Sequence, residues 1–289
     1  MNLKAIIKIV MALLSKYKFI GSNKMKYQID HDYHIHSFLS PCSRDPEQNP
    51  ERILRYGVEN GFKHICLTNH LWDTATPNLY LDPPNQKYSY LTQALPLPQS
   101  EITQFHFGCE TDMDKNFVLG IEKETFDKLD FVIISTTHLQ LTGKTIREGA
   151  SLDERAEVYI KRLEKVLESG LDFHKIGIAH PVSGHASPEN PFNELFEKIG
   201  EDNVRSTFTK IAESGAGVEI NAKDFNFKSK SPAHIDAILN FYNILRECGC
   251  KFYMGSDAHH PDALDEARSC FENAVSELGL TEEEKFKMW

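Results

Sequence analysis

Asp32-Tyr33-His34-Ile35-His36 ends an apolar-alternating segment with two histidines two residues apart, a spacing at which both imidazoles can reach one metal ion. Similar settings recur downstream. His70 ends Leu67-Thr68-Asn69-His70, Glu110 ends Phe107-Gly108-Cys109-Glu110, and His138 ends Ser135-Thr136-Thr137-His138. His180 stands in Ile178-Ala179-His180-Pro181, and Asp257 and His259 stand in Gly255-Ser256-Asp257-Ala258-His259. Each follows a short apolar run.

Those runs define seven strand candidates, at residues 27–34, 64–68, 104–109, 131–135, 175–179, 217–220 and 251–255. Helical periodicity predicts helices near 50–60, 123–129, 152–169, 203–214, 233–248 and 262–278. Pro50 supplies a start signal, and Gly61, Gly170, Gly215 and Gly249 stand where C-terminal glycines belong. Alternation of the two kinds of segment marks repeated β-α units around a parallel sheet. A chain of 289 residues, 40% of them hydrophobic, holds one large α/β barrel or two ordinary domains, and one domain over residues 25–289 is the economical reading. The stretch 71–100, with five prolines and four tyrosine or tryptophan residues, is a long loop able to cover a pocket.

Residues 1–24 form an N-terminal extension of a different character. Lys8 interrupts their apolar run, no small-x-small cleavage site follows, and the segment is too short and too charged for a membrane span. An amphipathic helix lying on a surface is one possibility the sequence offers; translation starting at Met25 is the expectation. No stable membrane insertion is expected. A net charge of -10 without any basic block argues against nucleic acid as a partner, whereas a small anionic substrate stays open because bound cations reverse the local potential. The six cysteines have no framework spacing and read as reduced thiols in a cytoplasm, with Cys248-Gly249-Cys250 structural. Nothing in the sequence sets the oligomeric state.

In β/α barrels the functional groups come from the C-terminal ends of strands. His34 and His36 close the first strand candidate, His70, Glu110, His138 and His180 follow the second to fifth, and Asp257 with His259 follow the seventh. The sixth, ending at Glu219-Ile220-Asn221, alone lacks a histidine. One histidine on a strand edge is ordinarily a satisfied hydrogen-bonder. Six histidines and two carboxylates at matching ends form a metal centre, and eight donors exceed the roughly four to six positions of a single zinc, manganese or iron ion. Calcium and magnesium prefer all-oxygen shells.

Taken in order, His34-x-His36, Thr68-Asn69-His70, Gly108-Cys109-Glu110, Ser135 to His138, Ala179-His180-Pro181 and Ser256-Asp257-Ala258-His259 resemble the motifs of the PHP (polymerase and histidinol phosphatase) family, over about residues 27–259. The resemblance implies a distorted seven-stranded, TIM-like (β/α)7 barrel with a cluster of two or three divalent ions (zinc, manganese or iron) hydrolysing phosphate esters. Carried onto this chain, it implies that His34, His36, Glu110 and Asp257 hold one ion and that Glu110 bridges to a second held by His138 and His180. His70 and His259 serve a third. Many members place another histidine eight residues after the first, where this chain has Cys42, a softer donor.

The implied activity is hydrolysis of a small phosphate monoester by hydroxide between the ions, with Asp257 or His259 as catalytic residues assisting proton transfer to the leaving group. Arg44, Lys144, Arg147 and Lys223 are loop cations able to hold a substrate phosphate, while Ser135 and Ser183 read as structural. Histidinol phosphate leads among substrates, because Ser43-Arg44-Asp45-Pro46 and the chain length are similar to that branch. An amidohydrolase cutting carbon–nitrogen bonds shares the His-x-His opening, but Glu110, the Asp257-Ala258-His259 ending and the lack of a bridging lysine at a strand end favour the phosphoesterase. Acidic charge and the lack of an additional domain disfavour a nuclease or proofreading module, and an intact donor set disfavours a non-catalytic metal-binding regulatory protein.

Overall fold

The computed structural model describes residues 25–74 and 86–288. The extension 1–24 and part of the 71–100 stretch lie outside them. Among the described residues, extended chain occurs as nine segments: β1 (His31–Ile35), β2 (His64–Leu67), β3 (His70–Leu71), β4 (Gln104–Phe107), β5 (Cys109–Thr111), β6 (Val132–Ile134), β7 (Ile176–Ile178), β8 (Gly217–Asn221) and β9 (Lys251–Gly255). Between them run α1 (Pro50–Glu59), α2 (Tyr88–Leu91), α3 (Lys123–Phe126), α4 (Leu152–Leu167), α5 (Phe192–Ile199), α6 (Glu201–Ser214), α7 (Pro232–Glu247) and α8 (Pro261–Leu278). The sequence pattern missed α5, because Ser187-Pro188-Glu189-Asn190-Pro191 reads as loop and Gly200 ends the helix after little more than two turns. It nevertheless buries Phe192, Leu195 and Ile199.

All strand pairings are parallel, in a three-stranded sheet β1-β2-β4 and a six-stranded sheet β3-β5-β6-β7-β8-β9. The parallel α/β architecture is the one expected, but the distorted seven-stranded barrel is corrected in strand count and closure: the strand paths are divided between two sheets. The second and third strand paths each break and pass from one sheet to the other, at Thr68-Asn69 and at Gly108. At the first break, Thr68 N–H donates to Ile35 O (2.8 Å) while Glu110 N–H is shared between Thr68 O and Asn69 O (both 3.1 Å), so the chain turns from one neighbour to the next. At the second, a Cβ on Gly108 would lie 2.3 Å from Phe131 O, so the crossing needs glycine.

First and last strands meet through side chains. His31 Nε2 accepts from Met254 N–H (3.0 Å), and Asp32 Oδ1 accepts from Ser256 N–H (3.0 Å) and His34 N–H (3.2 Å). The Tyr56 hydroxyl of α1 donates to Asp32 Oδ2 (2.9 Å), and burial pushes this carboxyl up to about 6. Beyond the strands, backbone takes over: Asp257 N–H donates to His34 O (2.7 Å) and His36 N–H to Ala258 O (3.0 Å).

The sheets curl around a shared interior. Tyr33 of β1, Phe131 at the entry to β6 and Tyr253 of β9 meet with ring centroids 5.3–6.1 Å apart, and Phe286 packs against the last two. A larger apolar layer includes outer helical residues such as Ile53, Tyr159, Leu163, Phe241 and Phe271. Among the described residues, no helix is long and apolar enough to cross a membrane.

Candidate metal centre

Parallel register sets His70 of β3 directly beside Glu110 of β5. The other donors arrive from the same strand ends and converge on that buried carboxylate. Glu110 Oε2 lies 3.4 Å from His34 Nε2, 3.3 Å from His36 Nε2 and 3.2 Å from His70 Nδ1. Its Oε1 lies 3.1 Å from His180 Nε2 and 3.9 Å from His138 Nε2. Three overlapping groups result: His34, His36 and Glu110; Glu110, His138 and His180; and His36, Cys42, His70 and His259, with the donor atoms of each within 4.8 Å of one another. Asp257 Oδ1 stands 3.7 Å from His34 Nε2, 3.5 Å from His36 Nε2 and 3.5 Å from His259 Nδ1, while its Oδ2 meets Lys223 Nζ at 2.7 Å.

The outer ring nitrogens show which atoms face inward. His34 Nδ1 lies 2.7 Å from Glu219 Oε1 and His138 Nδ1 2.8 Å from Asp112 Oδ2; an ionised carboxylate only accepts, so these nitrogens carry the protons. Ser40 gives its hydroxyl proton to Asn69 and Thr137 gives its own to His180 O, which leaves their oxygens to accept from His36 Nδ1 (2.9 Å) and His180 Nδ1 (2.7 Å). His259 Nδ1 donates to Asp257 O (2.9 Å). Five imidazoles therefore turn Nε2 lone pairs inward, and those of His34 and His36 face each other at 3.0 Å. Such an arrangement is repulsive unless positive charge, a shared proton or a bound cation, sits among the nitrogens, and the mixed imidazole and carboxylate donors fit divalent cations.

The charges agree. Burial opposes a charged His34 ring, yet Glu219, Glu110 and Asp257 raise it well above the ordinary imidazole value. Burial likewise opposes ionised Glu110, but His70 and His34 hold its carboxyl well below the usual range. Burial and the neighbouring His36 bring His259 down to about 3.

Two site residues are held in strained backbone, His180 at φ 24° and Asp257 at φ 50°. Glu219 helps to fix the first, accepting from His180 N–H with the oxygen that the His34 ring does not use. A Cβ on Gly255 would fall 2.0 Å from Glu219 Oε1, so glycine on β9 makes room for this carboxylate on β8.

The structure thus gathers His34, His36, His70, Glu110, His138, His180, Asp257, His259 and Cys42 in one place. Cys42 is the exposed one of the six cysteines. Of the four loop cations, Lys223 lies against the cluster through Asp257, and Arg44 is exposed two residues beyond Cys42. Arg147 instead binds Glu154 and the carbonyl of Glu148 at the exposed start of α4, and Lys144 accepts through its backbone from Lys115 N–H (2.6 Å). Ser135 offers its carbonyl to Arg162 (3.1 Å), and Ser183 Oγ accepts from His185 N–H (3.2 Å).

Sequence reading missed the residues behind the donors. Glu219, Asp112, Ser40 and Thr137 orient the rings, and buried Arg162 holds Asp112. Two had a signal: Glu219 is a charge inside the apolar run Gly217-Val218-Glu219-Ile220, and Asp112 stands two residues after Glu110. His185, with its ring 5.7 Å from that of His138, is a further exposed imidazole at the rim.

No protein-family model matches this chain, and no curated protein matches it. Among solved structures, it is similar to a histidinol phosphate phosphatase from Lactococcus lactis, crystallised with zinc, L-histidinol and phosphate, with 17% identity and a TM-score of 0.53 over 85% of this chain and 94% of that one. A dihydropteroate synthase from Coxiella burnetii in complex with pteroic acid aligns at 12% identity and a TM-score of 0.42, over 89% of this chain and 96% of that one. At such identities the first likeness is one of fold: an α/β protein with parallel strands curled in the manner of a TIM-like barrel.

Proposed function

We propose that this chain is a metal-dependent phosphoesterase of the PHP type that hydrolyses a small phosphate monoester, with histidinol phosphate the leading candidate. The observation that carries the reading is the set of three donor groups, two of which meet at Glu110 and two at His36. In this reading His34, His36, Glu110 and Asp257 hold one ion, Glu110, His138 and His180 a second, and His70, His259 and Cys42 a third. Bound there, zinc, manganese or iron would supply water activation near neutral pH and neutralise phosphoryl oxygens.

The remaining work falls to the chain's own residues. Lys223 Nζ, now 2.7 Å from Asp257 Oδ2, provides the cation nearest the donors for a substrate phosphate, with Arg44 as the second. Asp257 Oδ1, between His36 and His259, is placed to take a proton from the attacking water and hand it to the leaving oxygen, and the His259 ring is kept in orientation by its Nδ1–H bond to the Asp257 carbonyl. Deep burial of Glu110, His34 and His36 keeps bulk water from screening the charges. All six cysteines are free, which fits our placement of the protein in a reducing cytoplasm.

The test is a turnover assay on a panel of phosphate esters, including histidinol phosphate, sugar phosphates and nucleotides. Chelation should abolish hydrolysis of at least one, and added zinc or manganese should restore it. Turnover indifferent to chelation, or no hydrolysis of any ester by the metal-loaded protein, overturns the reading.

A further inference from the structure

We infer that Cys42 makes the group it forms with His70 and His259, beside His36, a thiolate-bearing site of zinc class, which loads with zinc or cobalt(II) in preference to manganese and is chemically unlike its two neighbours. The inference rests on the proposed metal centre and specifies how one part of it differs. Each of the other two groups includes an oxygen of Glu110, whereas this one sets a single sulfur beside imidazoles. Imidazole and thiolate donors, three in number, are what open zinc sites use, with a fourth position left for water or substrate. Thiolate favours soft or borderline ions, while manganese is better served by carboxylate oxygen, so replacing an imidazole-and-oxygen shell by one with sulfur separates the two metals.

The position of Cys42 supports a ligand role over a packing one. Cys66, Cys109, Cys250 and Cys270 are buried and Cys248 is half-buried, whereas Cys42 is exposed and still keeps its Sγ within 4.8 Å of donor atoms from three histidines. The nitrogens come from three different places in the fold, just after β1, at the start of β3 and beyond β9. The loop after β1 supplies the sulfur. Loading breaks the S–H bond, forms a sulfur–metal bond and releases the proton to water. Because Cys42 is the exposed one of the six cysteines, this position also reports its own occupancy to thiol reagents.

The experiment uses the full-length, chelator-stripped chain. Zinc, cobalt(II) and manganese are titrated separately, and alkylation of each cysteine by iodoacetamide is followed by peptide mass spectrometry. Zinc should slow alkylation of Cys42 by about tenfold or more, manganese should not, and cobalt(II) should give a sulfur-to-metal charge-transfer absorption. Cys42→Ser should lose that absorption and one bound ion. Cys42→His should lose the absorption yet keep the ion, which separates loss of sulfur from loss of the site. Unchanged alkylation in saturating zinc, when direct titration shows zinc bound, overturns the assignment of Cys42. Equal protection by manganese overturns the selectivity. No binding of any divalent ion refutes the metal centre itself.

Discussion

Glu219 accepts from the His34 ring with one oxygen and from the His180 backbone with the other, tying the first donor group to the second from below. Replacing the carboxylate by an amide of the same shape allows an N–H to face His34 Nδ1, so the ring is no longer forced to present its Nε2 lone pair inward. Glu219→Gln should weaken divalent-ion affinity by about 10- to 100-fold, measured by competition with a chromophoric chelator. An unchanged affinity would show that Glu219 is a packing residue. The donors themselves were legible in the sequence, because six histidines and two carboxylates placed after apolar runs leave a conspicuous pattern. Glu219 was not, since a strand residue's partner 185 positions away is fixed only by the curl of the sheet; the one strand end without a histidine turned out to carry the support for another strand's ligand.

Among the elements, α1 acts on the site through β1. Its Asn49 cap accepts from Arg52 N–H (2.9 Å), and its buried face places Tyr56 against Asp32, whose other oxygen accepts the Ser256 and His34 N–H groups. Tyr56→Phe removes one donor from a buried carboxylate and should lower stability by about 1–2 kcal/mol in urea unfolding, with a native circular dichroism spectrum. No loss would mean that Asp32 finds another donor. The order of strands and most helices was readable from periodicity, but the breaks at Thr68-Asn69 and Gly108 were not. An apolar run looks the same whether it stays in one sheet or changes neighbour half-way, and the change is decided by contacts such as Gly108 against Phe131 O.

For the molecule as a whole, an acidic chain must keep carboxylates within a low-dielectric interior. Asp224, beyond β8, is buried, and burial pushes its carboxyl up to about 7 even though Tyr242 donates to it (3.0 Å). A carboxyl raised on folding binds its proton better in the native state, so its penalty is absent below about pH 4 and fully developed above about pH 7. Asp224→Asn should therefore be nearly neutral at pH 4 and stabilise the metal-free protein at pH 8 by up to about 4 kcal/mol, read from denaturant unfolding at both pH values. Stabilisation equal at the two would assign the effect to packing.

The seam between β1 and β9 carries a consequence for how the molecule comes into being. His31 and Asp32 are translated early, while the backbone groups they satisfy, at Met254 and Ser256, follow 223 and 224 residues later. At a synthesis rate of about 5–20 residues per second, the first strand waits roughly 10–45 s beside the ribosome with its bonds to the last strand unmade. Asp257 and His259 emerge in the same late stretch. A truncated translation product thus lacks both the closing strand and part of the donor set, and the whole constellation exists only once the last strand has been made.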